Sequence, residues 1–283
     1  MERYIHQGPP AKVRASLKKH LPSVGTSRLL AAAAKREVKV NGRRVREGEL
    51  ISPGDRVEVF LPEPPAFRPE AVFDSGRVLA VNKPQGIPTV GGHSLESELQ
   101  RERGESWRAV HRLDTNTAGL VLFAGDEGAA GELLAAFREG RVRKFYSAVL
   151  CRPFEQREGL WSDFLFKDAK KSRVYVRAEG GKGYLPIATA YRILREKGDL
   201  AWAELELHTG RTHQIRAQSA FHGHPVLGDG KYGDPGFNRR YGRKDQCLCA
   251  RKLLLRFPAG ELKELDGLTL EIGDPFAELF DRL

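Results

Sequence analysis

The sequence predicts an α+β fold, on two observations. Short alternating strands outnumber helices, and the two types follow each other in no regular βαβ rhythm. The 283 residues suffice for one large core plus a small one.

The elements follow in order. Residues 13–20 read VRASLKKH, and with Leu21 they put Val13, Leu17 and Leu21 on one helical face. Ser23 or Thr26 caps a second helix over TSRLLAAAAKRE, rich in strong helix formers. VKVNGRRV alternates across Asn41-Gly42, a hairpin signal, and RVEVFL closes the unit after the turn Pro53-Gly54-Asp55. PEPPAFRPE is a semi-rigid linker. The division expected is 1–62, a linker 63–70, and 71–283. Beyond it, strands are expected at RVLAVNK, LVLFA, KFYSAVL, RVYVRA, ATAYRILRE and AWAELELH. Amphipathic helices are expected at GAAGELLAAFREG, with Leu133, Leu134 and Phe137, and at HQIRAQSAFHGH, with Ile215, Ala217 and Phe221 available for burial.

Composition narrows the function. The formal net charge is +10, and the first 62 residues carry +7 of it. That favours a polyanionic partner, nucleic acid before membrane. No apolar run reaches 18 residues, and MERYIHQGPPAKVRA lacks an apolar signal core, which argues for a cytoplasmic protein. Three cysteines, Cys151, Cys247 and Cys249, form no framework and suit a reducing compartment. Cys247-Leu248-Cys249 reads as alternation in a strand, not as half of a zinc site.

Four segments are over-supplied with polar groups for core strands: VNKPQGIP, HRLDTNTAGL, RKFYSAVL and HTGRTHQIRAQSAFHGHPVLGDGKYG. Singly, each reads as a turn, a helix start or structural histidines. In this order and spacing they resemble the RluA family of pseudouridine synthases, over roughly residues 72–258. Residues 13–61 resemble the S-four-type RNA-binding domain, with Val13-Arg14-Ala15 standing where that family often has Arg-Leu-Asp. Ala118 departs from the usual Ser or Thr and reads as a lost supporting hydroxyl.

The resemblance implies a mixed, largely antiparallel sheet core of the pseudouridine synthase type, behind a small α/β RNA-binding domain. It implies an isomerase acting on RNA that needs no metal or cofactor. Asp114 is the implied catalytic carboxylate, Arg211 its basic partner, and Tyr146 the ring that stacks on uracil. Arg112, His111 and Lys83 are implied RNA contacts, joined by Lys35, Arg36, Arg43 and Arg44 of the first unit; Lys231-Tyr232 reads as a phosphate or scaffold contact, and Leu120 or Ile215 as apolar wall. Asp114 must be ionised while partly desolvated, which a cation and hydrogen-bond donors favour. Addition to ribose C1′ and abstraction of a ribose proton to give a glycal both stay open.

The expected substrate is large-subunit ribosomal RNA, toward which Val90-Gly91-Gly92 leans; transfer RNA stays open. A monomer is expected. The rivals are a nucleosidase, which would want a second carboxylate, and a non-catalytic RNA-binding assembly factor.

Overall fold

The structure, a computed structural model, describes residues 1–22, 24, 26–61 and 67–282, with the side chains of 26–28 left aside. Ser23, the Thr26 side chain, residue 62 and residues 63–66 of the expected linker therefore lie outside the described residues. The chain divides into two compact units, residues 1–68 with 91–97, and residues 69–90 with 98–283.

The first unit holds β1 (Glu2–Ile5), β2 (Ala11–Lys12), α1 (Val13–His20), α2 (Thr26–Ala34), β3 (Val38–Val40), β4 (Arg43–Arg44), β5 (Leu50–Ile51) and β6 (Arg56–Val59). Val13, Leu17 and Leu21 are buried, as their spacing predicts, against Leu29, Val38, Val57 and Val59. Asn41 and Gly42 turn β3 into β4 with φ of 49° and 81°, so both central residues take the left-handed region that a two-residue hairpin demands. The Asn41 amide donates to Asp55 at 2.8 Å and locks that turn to the next. β1 has no sequence signal of its own; it exists because β6 offers an open edge, and the four strands order as β1-β6-β3-β4.

The second unit holds β7 (Glu70–Asp74), β8 (Val78–Lys83), α3 (Leu95–Arg103, begun in the first unit), β9 (Arg108–Ala109), β10 (Ala118–Ala124), α4 (Glu127–Arg138), β11 (Val142–Cys151), β12 (Glu158–Asp168), β13 (Arg173–Arg177), β14 (Leu185–Lys197), β15 (Leu200–Leu207), α5 (Gln214–Phe221), α6 (Pro235–Arg240), β16 (Leu248–Leu255), β17 (Thr269–Glu271) and α7 (Ala277–Arg282). Eleven of its strands make one sheet in the order β13-β12-β14-β15-β11-β16-β10-β8-β7, with β17 on β16 and β9 on β10. Only the β10–β16 pair is parallel among the described strands, so the sheet is mixed and largely antiparallel. The expected α+β architecture is the one found.

α4 is capped by Asp126, which accepts from the Ala129 amide at 2.8 Å, and buries Ala129, Leu133 and Ala136 on β8, β10 and β16. Leu134 is not core but exposed, and Phe137 is half-buried, because the helix offers only one narrow face to the sheet. α5 buries Ile215 and Ala217, the latter against Leu165, Val174 and Ile187 of β12, β13 and β14; Phe221, at its end, is left exposed. Cys247 and Cys249 straddle the start of β16 and pack with Cys151, Val149 and Phe280, so the alternating reading stands.

Gly119 explains the glycine of HRLDTNTAGL. It sits at φ +114° where β10 meets β16, and a Cβ there would lie 2.2 Å from the Ala250 carbonyl oxygen. Gly119→Ala is expected to destabilise the fold by at least about 3 kcal/mol, from backbone strain plus overlap. Urea unfolding measures this, and a loss below about 1 kcal/mol would mean that the two strands part easily.

Candidate active site

The loop between β9 and β10 carries Asp114, and the 83–89 segment brackets that loop. Thr89 Oγ1 donates to the Leu113 carbonyl and accepts from the Leu113 amide, each at 3.1 Å. The Gly86 amide donates to the Thr115 carbonyl at 2.9 Å, and the Thr117 amide closes a turn on the Asp114 carbonyl at 3.0 Å. Gln246 Nε2 donates to Thr117 Oγ1 at 2.7 Å. This accounts for the Thr117 hydroxyl that follows the aspartate.

Lys83 belongs to the same bracket. Its side chain is fully buried, and Nζ donates to the carbonyls of Pro84, Ile87 and Thr115 at 3.0, 2.8 and 3.1 Å. Burial pulls the ammonium down to about 8, with the Asp114 charge opposing. Lys83 is thus a tie between two loops and not a contact for RNA.

His111 also departs from its expected role. Its Nε2 accepts from the Leu122 amide at 3.0 Å, which puts the proton on Nδ1, and its ring packs on Phe137, tilted by 36° with centroids 4.5 Å apart. Burial, helped by the Lys144 charge, pushes the imidazole down to about 3, so it is neutral and anchors the loop to β10. The sign of the pH effect follows. The unfolded histidine takes a proton below its ordinary value of about 6.5, the folded one only near 3, so stability falls as pH drops through that window. His111→Gln is expected to flatten the fall, by up to about 1.4 kcal/mol per pH unit, in unfolding measured at pH 7, 6 and 5. An unchanged slope would place the acid sensitivity elsewhere.

The cation at Asp114 comes from α5, and it is Arg216, not Arg211. Arg216 Nη1 donates to Asp114 Oδ2 at 2.7 Å. The other edge of the guanidinium grips Asp229, Nε to Oδ2 at 2.6 Å and Nη2 to Oδ1 at 3.0 Å. Asp229 has a fully buried side chain and also accepts from the amides of Lys231 and Tyr232, at 2.7 and 3.0 Å. Burial works to raise its carboxyl, but Arg216 and those amides hold it below the usual carboxylate range. One planar fork thus joins two carboxylates.

Arg211 lies in the loop before α5, where a turn explains the displacement. The Gln214 side chain accepts from the Arg211 amide at 3.1 Å and from Thr209 Oγ1 at 2.8 Å, fixing the loop by its backbone and leaving the Arg211 side chain exposed. His213 then takes φ of 54°, unusual for a non-glycine residue. Its Nδ1 meets Tyr232 Oη at 2.9 Å, while Nε2 stands 3.8 Å from Asp114 Oδ2. Burial lowers this imidazole to about 4 against the pull of Asp114, so it too is neutral near pH 7. The Tyr232 hydroxyl also accepts from the Val174 amide at 2.9 Å, and Lys231 Nζ donates to the Ser172 carbonyl at 2.7 Å, so both residues are scaffold.

Asp114, Arg112, His111, Tyr146, Arg211, His213 and Arg216 line one cavity of about 760 Å³. Ile215 joins its wall, whereas Leu120 is in the core behind it. Tyr146 is buried on β11, and burial, with the Asp114 charge, raises its phenol so that it stays protonated at neutral pH. Arg112 is exposed and its guanidinium has no partner among the described residues. The arrangement can present a cation-held carboxylate, an aromatic face and a free guanidinium to one polyanionic ligand.

Residues 77–221, which span the bracket, the Asp114 loop, Tyr146 and α5, match the RNA pseudouridylate synthase family. The chain belongs to that family. It is therefore an RNA pseudouridine synthase, an isomerase. It is 29% identical over 273 residues to the ribosomal large subunit pseudouridine synthase C of Vibrio cholerae, covering 87% of this chain and 85% of that one. An uncharacterized RNA pseudouridine synthase of Aquifex aeolicus is 31% identical over 220 residues, 69% of this chain and 68% of the other. The solved human RNA pseudouridylate synthase domain containing 1 is similar with a TM-score of 0.65 and 26% identity, over 78% of this synthase and 89% of that chain.

In this synthase, the residues that sequence reasoning passed over are Arg216, Asp229 and Lys144. Arg216 and Asp229 stand in the segments HQIRAQ and LGDGKY, 13 residues apart in sequence but joined in space. In the first unit, Lys35, Arg36, Arg43 and Arg44 are all exposed; Arg43 is paired to Glu49 at 2.7 Å and the other three have no acidic partner among the described residues.

Proposed function

We propose that this synthase isomerises uridines of large-subunit ribosomal RNA, with Asp114 as its catalytic carboxylate. The observation that carries the site is the Asp114–Arg216–Asp229 array opening into a cavity with Tyr146 on its wall. The name of the Vibrio cholerae relative supports the ribosomal substrate.

The reaction breaks the bond from uracil N1 to ribose C1′, forms one from uracil C5 to C1′, and releases the C5 hydrogen as a proton while N1 gains one. Asp114 either adds to C1′ or takes a ribose proton; in both routes Arg216 holds its Oδ2 and aims the free Oδ1 at the sugar. Tyr146 gives the base a flat face to turn against, with its phenol proton kept. Because a base inside a helix cannot reach such a cavity, the nucleotide must be flipped out, and Arg112 at the rim takes the vacated place or its phosphate.

The small first unit, in this reading an S-four-type domain, adds phosphate contacts without much sequence preference. Replacing Lys35, Arg36 and Arg44 together by Gln is expected to weaken ribosomal RNA binding and to make the log–log salt slope shallower by about two to three. An unchanged slope would remove those residues from the interface. The synthase acts here as a cytoplasmic monomer.

The deciding experiment is tritium release from RNA labelled at uracil C5, with ribosomal and transfer RNA tested separately. Release from large-subunit RNA is expected. Release from transfer RNA alone would change the substrate, and free uracil among the products would favour hydrolysis.

A further inference from the structure

The cavity carries more positive charge than Asp114 and one nucleotide account for. Its two carboxylates are already engaged, Asp114 by Arg216 and Glu139 by Arg141. Four other cations that line it, Arg112, Arg138, Lys144 and Arg211, have no acidic partner among the described residues. Three of them are exposed, where water screens their charge. Lys144 is different, because it is half-buried.

Its position on β11 is two residues before Tyr146, and its Nζ stands 5.9 Å from the Phe137 ring centroid. The backbone of Gly210 is also near, where an added Cβ would meet Nζ at 3.5 Å and nothing closer. Phe137 also packs on the His111 ring, tilted by 36° at 4.5 Å, a contact that restrains it. A desolvated ammonium without a counter-ion is costly, and burial does lower the affinity of Lys144 for its proton. A cost of this kind is offset when an anion arrives. The chemistry is that of a phosphate contact beside an aromatic platform, the pairing used to hold single-stranded nucleotides.

We propose that the part of the cavity around Lys144, Phe137 and Gly210 is a second nucleotide subsite, in which Lys144 binds the phosphate of a nucleotide flanking the target uridine. The assignment rests on the reading of Asp114 as the target-uridine centre. A flipped nucleotide drags both of its phosphates toward the cleft, and Lys144 meets one of them while Phe137 faces the neighbouring base. The subsite sets where along the strand a uridine can be seated, so it acts on recognition and not on the bond changes at C1′.

The test compares the full-length wild type with Lys144→Met and Lys144→Arg on a transcript of large-subunit ribosomal RNA. Binding is measured across a range of salt, and KM and kcat by tritium release. Met keeps the stem on Phe137 and removes the charge. It is expected to raise Kd and KM about tenfold or more, the worth of one charged hydrogen bond, and to make the salt slope shallower by about 0.7 to 0.9. Arg is expected to restore the slope and to bring Kd within about threefold of wild type. Wild-type Kd and slope in the Met variant would overturn the subsite, and so would an Arg variant as weak as Met, since a purely structural lysine predicts that pattern. The binding arm needs no turnover. A wild type that binds but releases no tritium would therefore count against the proposed function and still decide the role of Lys144.

Discussion

Asp114→Asn is expected to reduce tritium release by about a thousandfold or more, while RNA affinity stays within about threefold. Asparagine keeps the shape and can still meet Arg216, so the fold and the cavity should persist. What disappears is the negative oxygen that must add to the sugar or take its proton. The contrast with binding matters, because a non-catalytic assembly factor would bind equally well with either residue and release nothing with either. A variant that kept more than about a tenth of wild-type release would move the chemistry away from Asp114, and no other carboxylate in the cavity is free to receive it, since Glu139 is tied to Arg141.

The position of Asp114 was legible in the sequence because its surroundings are local. HRLDTNTAGL holds its own turn, its own glycine and the start of its own strand, so the proposed catalytic carboxylate and its scaffold share ten residues. Four helices, α1, α2, α4 and α5, and the longer alternating strands were legible for the same reason, through period and turn residues, whereas α3, α6 and α7 were not expected. Nor was β12. Its inward face reads Trp161, Asp163 and Leu165, and an aspartate breaks the alternation that marks a strand. The buried carboxylate is matched only in space, by Gln218 and His222 of the distant α5 region at 2.7 Å each. Lys83 and His111 mislead in the opposite direction. A lysine beside a Pro-Gly turn and a histidine beside an arginine look like surface groups for RNA. What holds them is a set of loop carbonyls and one backbone amide that the linear sequence does not display.

The same distinction separates Arg211 from Arg216, and it gives the second large effect. In TGRTHQIR the first arginine looks more available, being next to a glycine, whereas the second falls on the buried side of a helix. Burial is what would make Arg216 the useful one in the proposed reaction, because its guanidinium is oriented by Asp229 before any RNA arrives. Arg216→Met would leave Asp229 buried without its counter-ion, and a loss of about 3–5 kcal/mol is expected in urea unfolding. Arg216→Lys keeps a charge but cannot fork between two carboxylates; it should fold, with kcat lowered about a hundredfold or more. Arg211→Gln, at an exposed site, should change stability by no more than about 0.5 kcal/mol and act mainly through KM. The comparison of kcat in Arg216→Lys and Arg211→Gln decides between them. Were the large kcat loss to fall on Arg211→Gln, the exposed arginine would have to swing onto Asp114 when RNA binds, and the buried array would be a structural pair that the reaction does not use.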